Sequence, residues 1–552
     1  MNRLPFSPIS FKAQERESMA VSRNILILGG GFAGISAAQE LVRLASGDVS
    51  IQIQLVSDEN YFVFQPLLPE VVSCSIEPTH VSIPLRQLCP GVQIHCATVR
   101  SIDIEKHEVQ VVGSDARHLS TLPYDHVLVC VGMTVDLSRI PGMAAHAFPI
   151  KNLGDALHLR NHVLTCLEEA ELTDDEALRR KTLTFVTIGG GFSGVETAAE
   201  INDMIRSVLT YYPRAQAVGH RMLLVQSGER ILKELDADLA EYACRKLHDR
   251  GIEIRMNCRV REVTPWGVLL DNEQTVQAST VICTVGNAPH PFILQSDLPR
   301  QMGRLIVETN FQVQGNTDVW ACGDAALIQD TKQCGWCPPT AQYATRQGTH
   351  LARNVMAMIR SQPSVPFQHR SLGQMAVVGH RTAVAQIFGW KFSGMTAWVL
   401  WRLVYFLKLP GLRTKLRVGI DWLLDLIFPR DIAKIDVRRT TQLQRAHFRP
   451  GEVIIRQGEL GDRFYLLESG EVEIFREEPG LPEQQLAVRR AGESFGEIAL
   501  LKDVRRKATV RCLTAVDVVS VTRQDFHLLI ASSPLFRQQV TQAMESTTGL
   551  PS

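Results

Sequence analysis

Asn24-Ile25-Leu26-Ile27-Leu28-Gly29-Gly30-Gly31-Phe32-Ala33-Gly34 stands near the start of this chain, and Leu183-Thr184-Phe185-Val186-Thr187-Ile188-Gly189-Gly190-Gly191-Phe192-Ser193-Gly194 repeats its design. Each stretch is a short run rich in β-branched and aliphatic residues that breaks at glycine. Each then opens a helix of small residues, Ile35-Ser36-Ala37-Ala38 and Val195-Glu196-Thr197-Ala198-Ala199. Strand, G-x-G-x-x-G, helix is the dinucleotide fingerprint. Gly29 and Gly189 make the tight turn, Gly31 and Gly191 let the backbone approach a pyrophosphate, and Gly34 and Gly194 let helix pack on strand. The anion then meets unpaired N–H groups and positive partial charge at the helix N-terminus. One such hexapeptide is common. Two in the right context predict two dinucleotides on one chain, with electrons passing between them.

Between and after the fingerprints the pattern remains α/β. His126-Val127-Leu128-Val129-Cys130-Val131 reads as a buried strand ending at Gly132, and Thr280-Val281-Ile282-Cys283-Thr284-Val285 mirrors it, ending at Gly286. Strand ends of this kind meet ligands in parallel sheets. At Val319-Trp320-Ala321-Cys322-Gly323-Asp324-Ala325-Ala326 the chain is expected to return to the first domain. The 552 residues are enough for several domains, and Lys plus Arg equal Asp plus Glu at 58 each, so no global charge points to nucleic acid. Twelve scattered cysteines suit reduced thiols rather than a disulfide framework. The close pair Cys334-Gly335-Trp336-Cys337 has no partner pair at zinc spacing and reads as two structural thiols; no metal site is expected.

Several longer motifs go beyond a generic nucleotide fold. They are Asn60-Tyr61-Phe62-Val63-Phe64-Gln65-Pro66-Leu67-Leu68, Ala321-Cys322-Gly323-Asp324-Ala325, Pro338-Pro339-Thr340-Ala341-Gln342 and Phe428-Pro429-Arg430-Asp431-Ile432. Over roughly residues 23 to 435 the chain resembles the type II NAD(P)H:quinone oxidoreductases, a branch of the two-dinucleotide-domain flavoproteins. The resemblance implies FAD on Gly29, Gly31 and Gly34 and NADH or NADPH on Gly189, Gly191, Gly194 and Gly286. It places Asp324 beneath the ribityl and phosphate end of FAD, with Gln65 and Ala341 beside the flavin. It also implies hydride transfer to the flavin and two-electron reduction of a membrane quinone. Relatives with a redox disulfide carry two neighbouring cysteines near the flavin; here only Cys74 is close, so a disulfide substrate is not expected.

Gln342 matches the family pattern Ala-Gln-x-Ala-x-Gln on the acceptor side, whereas Arg346 replaces its last Gln. Glu196 matches a family glutamate near nicotinamide and flavin; it serves either the reaction or, as a first-turn acid, the helix dipole. Gln226 follows the second strand of the second domain, where NAD-specific folds carry Asp or Glu. Without that carboxylate a 2′-phosphate escapes a repulsion of about 1 kcal/mol or more, and Arg230 is near in sequence, so NADPH is expected to serve alongside NADH. The equivalent position of the first domain is Ser57, followed by Asp58 and Glu59.

No window reaches the roughly 18 apolar residues of a membrane span. Residues 395–428 instead interleave Trp398, Trp401, Tyr405, Phe406, Leu412, Leu416, Ile420, Trp422 and Leu423 with Arg402, Lys408, Arg413, Lys415 and Arg417. This suits amphipathic helices lying on a lipid surface; packing on their own domain or in a homodimer is the alternative. Peripheral attachment at a cytoplasmic or matrix-type face follows from the first reading.

After Arg430 the pattern changes to short alternating strands with glycine turns, a β-roll signature. Phe495-Gly496-Glu497-Ile498-Ala499-Leu500-Leu501 with Arg506-Lys507-Ala508-Thr509 resembles the phosphate cassette of cyclic nucleotide-binding domains, over about residues 440 to 545. Glu497 suits a ribose 2′-OH, Arg506 the cyclic phosphate, and the N–H groups around Gly496 and Ala508 the same anion. Lys507 departs from the usual small or hydroxylated residue; cAMP is the favoured ligand over cGMP. No DNA-binding helix pair follows.

The expected architecture is therefore α/β, with two Rossmann-like domains, an amphipathic helical membrane-association segment and a C-terminal β-roll. Its expected bounds are a tail at 1–22, FAD-binding parts at 23–151 and 291–365, a nicotinamide domain at 152–290, the membrane segment at 366–436 and the roll at 437–552. Two other readings fit the same residues: a redox-sensing adaptor with the roll as an interaction module, and a reductase of a soluble electron carrier.

Overall fold

Ile25, Leu26, Ile27 and Leu28 are wholly buried, as a strand covered on both faces requires. In the computed structural model, strand Arg23–Leu28 lies inside a seven-stranded sheet. Residues 23–113, 119–330, 335–369, 371–434, 443–459, 461, 463–477, 482–501, 504–523 and 526 are described; the tail at 1–22 and Cys334 lie outside them. Two compact units divide the chain, residues 1–435 and 436–552.

In the first unit, Val319–Ala321, His126–Val129, Arg23–Leu28, Ile51–Ser57 and Gln93–Asp103 run parallel. Glu108–Gly113 and Leu119–Pro123 extend that sheet antiparallel. Val319–Ala321 brings the chain back to the first sheet beside His126–Val129. The second fingerprint strand, Thr184–Ile188, is central in its own parallel sheet of five, flanked by Thr280–Cys283 and Arg221–Val225. Both glycine turns thus sit at carboxyl ends of central strands, where open α/β sheets bind ligands.

Residues 371–427 contain more than helices. Gly373–Val377, Ala383–Ile387 and Trp390–Ser393 form an antiparallel sheet, followed by helices Gly394–Lys408 and Leu412–Ile427. No helix among the described residues is long and apolar enough to cross a membrane. Val399, Leu403, Leu407, Leu412, Leu416, Ile420, Leu423 and Ile427 are each more than half exposed. Trp398, Trp401 and Trp422, grouped with that stripe on sequence grounds, instead point inward at 7%, 1% and 6% exposure. The first helix is apolar nearly all round, so its sequence does not announce which face the protein covers.

The second unit is a β-roll of two four-stranded antiparallel sheets. Its short helix Glu497–Leu501 follows strand Ser494–Phe495.

Candidate functional site

The three glycines of the first turn have different surroundings. Gly29 has φ +109° and a Cβ there would lie 2.4 Å from the Cys130 carbonyl oxygen. At Gly34 a Cβ would lie 1.9 Å from the Gly29 oxygen, so helix Phe32–Leu44 rests directly on the turn. At Gly31 a Cβ would meet nothing within 4 Å. The opening at Gly31 faces a cleft lined by Ser57, Asp58, Gln65, Cys130, Gly132, Lys151, Asp324 and Ala341 among others. A backbone cradle at a helix N-terminus, open at the middle glycine, fits the pyrophosphate of FAD.

Asp324 is deep in that cleft; burial raises its pKa, and Lys151 and Arg304 oppose the rise. Its turn is held by Gln347, whose Oε1 accepts from the Gly323 N–H at 3.0 Å and which is 2% exposed. Arg304 Nε donates to the Asp324 carbonyl at 3.0 Å. Gln65 Nε2 donates to the Lys151 carbonyl at 3.1 Å. Sequence reading missed Lys151, which sits in the connection between the duplicated units with no motif around it. Gly348 lets helix Ala341–Ile359 cross the first fingerprint helix closely, since a Cβ there would lie 2.1 Å from the Ala33 oxygen.

The second turn repeats the arrangement. Gly189 has φ +110°, a Cβ at Gly194 would lie 1.8 Å from the Gly189 oxygen, and Gly191 is open. Gln226 stands next to it: its Oε1 accepts from the Gly190 N–H at 2.8 Å. Arg230 turns its Nη2 to the Lys233 carbonyl at 2.8 Å. Gly286 has φ +91° and abuts the Asp136 carbonyl.

Glu196 is not an exposed first-turn acid. It is 9% exposed, and its Oε1 accepts from the Val377 N–H at 3.1 Å. Burial, reinforced by the nearby charges of Glu70 and Glu200, pushes its pKa up to about 8. The phenol of Tyr405 lies close enough to feel the Glu196 charge, and its ring packs edge-on against Phe64 at 5.9 Å. On helix Ala341–Ile359, Gln342 Oε1 accepts from Ser371 Oγ at 3.2 Å, and Arg346 Nη1 donates to the Gln342 carbonyl at 3.3 Å. Arg346 lies near Lys408, whose pKa is lowered by burial and then by the Arg346 charge.

In the second unit Glu497 is 3% exposed and its Oε2 has no hydrogen-bond partner among the described residues. Burial raises its pKa, against the pull of Arg489 and Arg506. A buried carboxyl with a vacant oxygen suits a ligand hydroxyl. Arg506, 5% exposed, reaches the Gly496 and Arg463 carbonyls through Nη1 and Nη2, both at 2.7 Å. Gly496 has φ +92°, and a Cβ there would lie 2.8 Å from Arg506 Nη1, so the turn and the guanidinium are built together. Ala508 is half-buried and Lys507 exposed.

Comparison with known proteins gives three matches along the chain. Residues 23–348 match the pyridine nucleotide-disulphide oxidoreductase family, residues 371–431 the NDH2 C-terminal domain, and residues 445–533 the cyclic nucleotide-binding domain. A probable NADH dehydrogenase of Dictyostelium discoideum is 28% identical over 76% of this chain and 93% of its own length. The type II NADH:quinone oxidoreductase Ndh of Mycobacterium tuberculosis is 28% identical, over 74% of this chain and 88% of its own. The demethylphylloquinone reductase NdbB of Synechocystis is 29% identical, over 72% and 95%. NDH2 of Plasmodium falciparum, solved with NADH, superposes with a TM-score of 0.70 at 19% identity, covering 75% of this chain and all of that one.

Proposed function

The chain belongs to the pyridine nucleotide-disulphide oxidoreductase family, and from that premise we propose that it is an FAD-dependent NADH dehydrogenase of type II that reduces a membrane quinone. The observation that carries the reading is the pair of glycine cradles, each open only at its middle glycine. The relatives named as NADH:quinone oxidoreductases, matched over most of their length, support the same acceptor.

Gly29, Gly31 and Gly34 take the FAD pyrophosphate, Asp324 accepts from ribityl hydroxyls, and Ser57, Asp58, Gln65 and Ala341 line the rest of the cleft. Gly189, Gly191, Gly194 and Gly286 take the nicotinamide nucleotide. Bound FAD supplies the two-electron chemistry, hydride in and an electron pair out. Glu196 holds a proton for the acceptor, while Gln342 and Arg346 orient the acceptor oxygens. The exposed aliphatic row of helices Gly394–Lys408 and Leu412–Ile427 rests on the lipid surface that dissolves the quinone.

Gln226 admits NADPH as well as NADH. Gln226→Glu is expected to lower kcat/KM for NADPH about fivefold or more, the effect of a contact repulsion near 1 kcal/mol. NADH use is retained, because a carboxylate oxygen accepts the Gly190 N–H equally well. Steady-state rates with both nucleotides check this; equal losses for the two would remove Gln226 from the selectivity.

The C-terminal roll binds a cyclic nucleotide, cAMP in preference to cGMP, between Glu497, Arg506 and the N–H groups near Gly496 and Ala508, and tunes the dehydrogenase. The test is quinone-dependent NADH and NADPH oxidation by flavin-loaded protein titrated with cAMP. We expect a saturable change in rate that disappears in Arg506→Ala. A flat titration rejects the effector and leaves the dehydrogenase; no quinone-dependent rate at all rejects quinone as its acceptor.

A further inference from the structure

Glu196 belongs to a buried set of charged side chains whose other members the function above leaves unused. Its members come mainly from helix Phe192–Val208, the short helix Leu68–Val72 and the pair Gly394–Lys408 and Leu412–Ile427. Five carboxyls meet there: Glu70, Glu196, Glu200 and Asp203, none more than 9% exposed, and Asp425, whose side chain is 5% exposed. Among the described residues three guanidiniums pair with them.

Arg250 Nη1 donates to both Asp203 oxygens at 2.8 Å. Arg430 joins Glu200 Oε2 at 3.0 Å to Asp425 Oδ1 at 3.2 Å, and Ser73 Oγ donates to the same Glu200 oxygen at 2.7 Å. Arg402 Nη2 lies 3.4 Å from Asp425 Oδ2 but 3.9 Å from Glu70 Oε1. Of the remaining neighbours, Arg160 of helix Leu153–Leu172 is 1% exposed beside Cys74, and Arg381 adjoins His380. His380, with Nδ1 3.9 Å from Asp425, is kept neutral by burial, and Tyr405 keeps its phenolic proton. His80 is paired with Asp421 at 2.6 Å.

Among the described residues no guanidinium pairs with Glu196, and Arg402, the one nearest Glu70 at 3.9 Å, lies closer to Asp425 at 3.4 Å. A buried unpaired carboxylate is costly enough that the group keeps its proton. The two are identified by their contacts. Glu196 has one backbone N–H with the Trp401 indole close by, and Glu70 has one indole, Trp422 Nε1 donating to Oε2 at 3.0 Å, with the Arg402 charge beyond it. Burial pushes both up to about 8.

We propose that Glu70 is the proton reserve that recharges Glu196 during quinone reduction. The proposal rests on the reading of quinone as acceptor. The overall reaction, NADH + H⁺ + quinone → NAD⁺ + quinol, takes up one proton beyond the hydride. The hydride of the nicotinamide C–H bond supplies the electron pair and one of the two quinol hydrogens; the other is the proton. The proton leaves the Glu196 O–H as the quinol O–H forms, Glu70 passes its own proton to the Glu196 carboxylate, and solvent restores Glu70. Glu70 touches neither substrate nor flavin in this scheme; it is a positioning residue for the proton.

The test is Glu70→Gln in the flavin-loaded full chain. Glutamine keeps the shape and still accepts from Trp422 Nε1, but it has no proton to release. Three rates are measured against pH: flavin reduction by NADH, ferricyanide reduction, which takes electrons without protons, and quinone reduction. We expect the first two within twofold of the parent and the quinone rate down tenfold or more, with its alkaline decline beginning at lower pH. Glu70→Asp should restore part of the quinone rate. An unchanged quinone profile overturns the proposal, and so does a common fall of all three rates, which marks a structural role. A parent protein that reduces ferricyanide but no quinone overturns instead the acceptor assignment beneath it.

Discussion

Gly31→Val is expected to give a folded protein that purifies without flavin and has no dehydrogenase activity. Gly31 has φ −86° and ψ −168°, extended backbone that a valine adopts readily. Nothing lies within 4 Å of the Cβ it would gain, so the protein interior is not disturbed. The new side chain instead fills the space through which a pyrophosphate reaches the N–H groups of helix Phe32–Leu44. Thermal unfolding and visible flavin absorbance separate the two effects. Gly34→Ala is the contrasting substitution: its Cβ would sit 1.9 Å from the Gly29 oxygen, so the helix itself must shift. Full flavin occupancy in Gly31→Val would sink the assignment of this loop.

Glu196→Gln is expected to slow quinone reduction about 10²- to 10⁴-fold, the usual contribution of a positioned proton donor. Flavin reduction by NADH should change far less, and stopped-flow absorbance distinguishes the steps. The pH dependence has a definite sign. Glu196 carries its proton below about 8 and loses it as pH rises through that value, so the quinone rate of the parent falls on the alkaline side. Stability follows the same group. In the unfolded chain this carboxyl ionises near 4.5, the ordinary value for glutamate. Its raised folded value therefore withdraws stability progressively from about pH 4.5 up to about 8. Glu196→Gln removes that slope, which denaturant titrations at several pH values will detect. Equal losses in flavin and quinone reduction would assign Glu196 to nicotinamide placement instead.

Both predictions use residues that the sequence exposes. A glycine turn is a local requirement: three positions at fixed spacing must lack a Cβ, and the strand before and helix after are short-range patterns. The same holds for Gly496, Glu497 and Arg506, where turn, carboxyl and guanidinium lie within eleven consecutive residues. Two Rossmann-like domains and a β-roll could therefore be read directly, and Val319–Ala321 could be placed back in the first sheet from its pattern and the motif that follows it.

The surroundings of Glu196 could not be read that way. Trp422 reaches Glu70 from 352 residues away, and Arg430 reaches Glu200 from 230. No periodicity or spacing links such positions, because the pairing depends on which helix faces meet. Trp398 and Trp401 illustrate this: a helix apolar nearly all round offers lipid and protein similar faces, and packing against the sheet Gly373–Val377, Ala383–Ile387 and Trp390–Ser393 chose the inner one. The order of strands, the nucleotide turns and the cassette are thus written in local chain chemistry. Which carboxyls keep their protons was decided only by tertiary structure, since the cost of charge depends on how far burial removes water and on how many guanidiniums come with it.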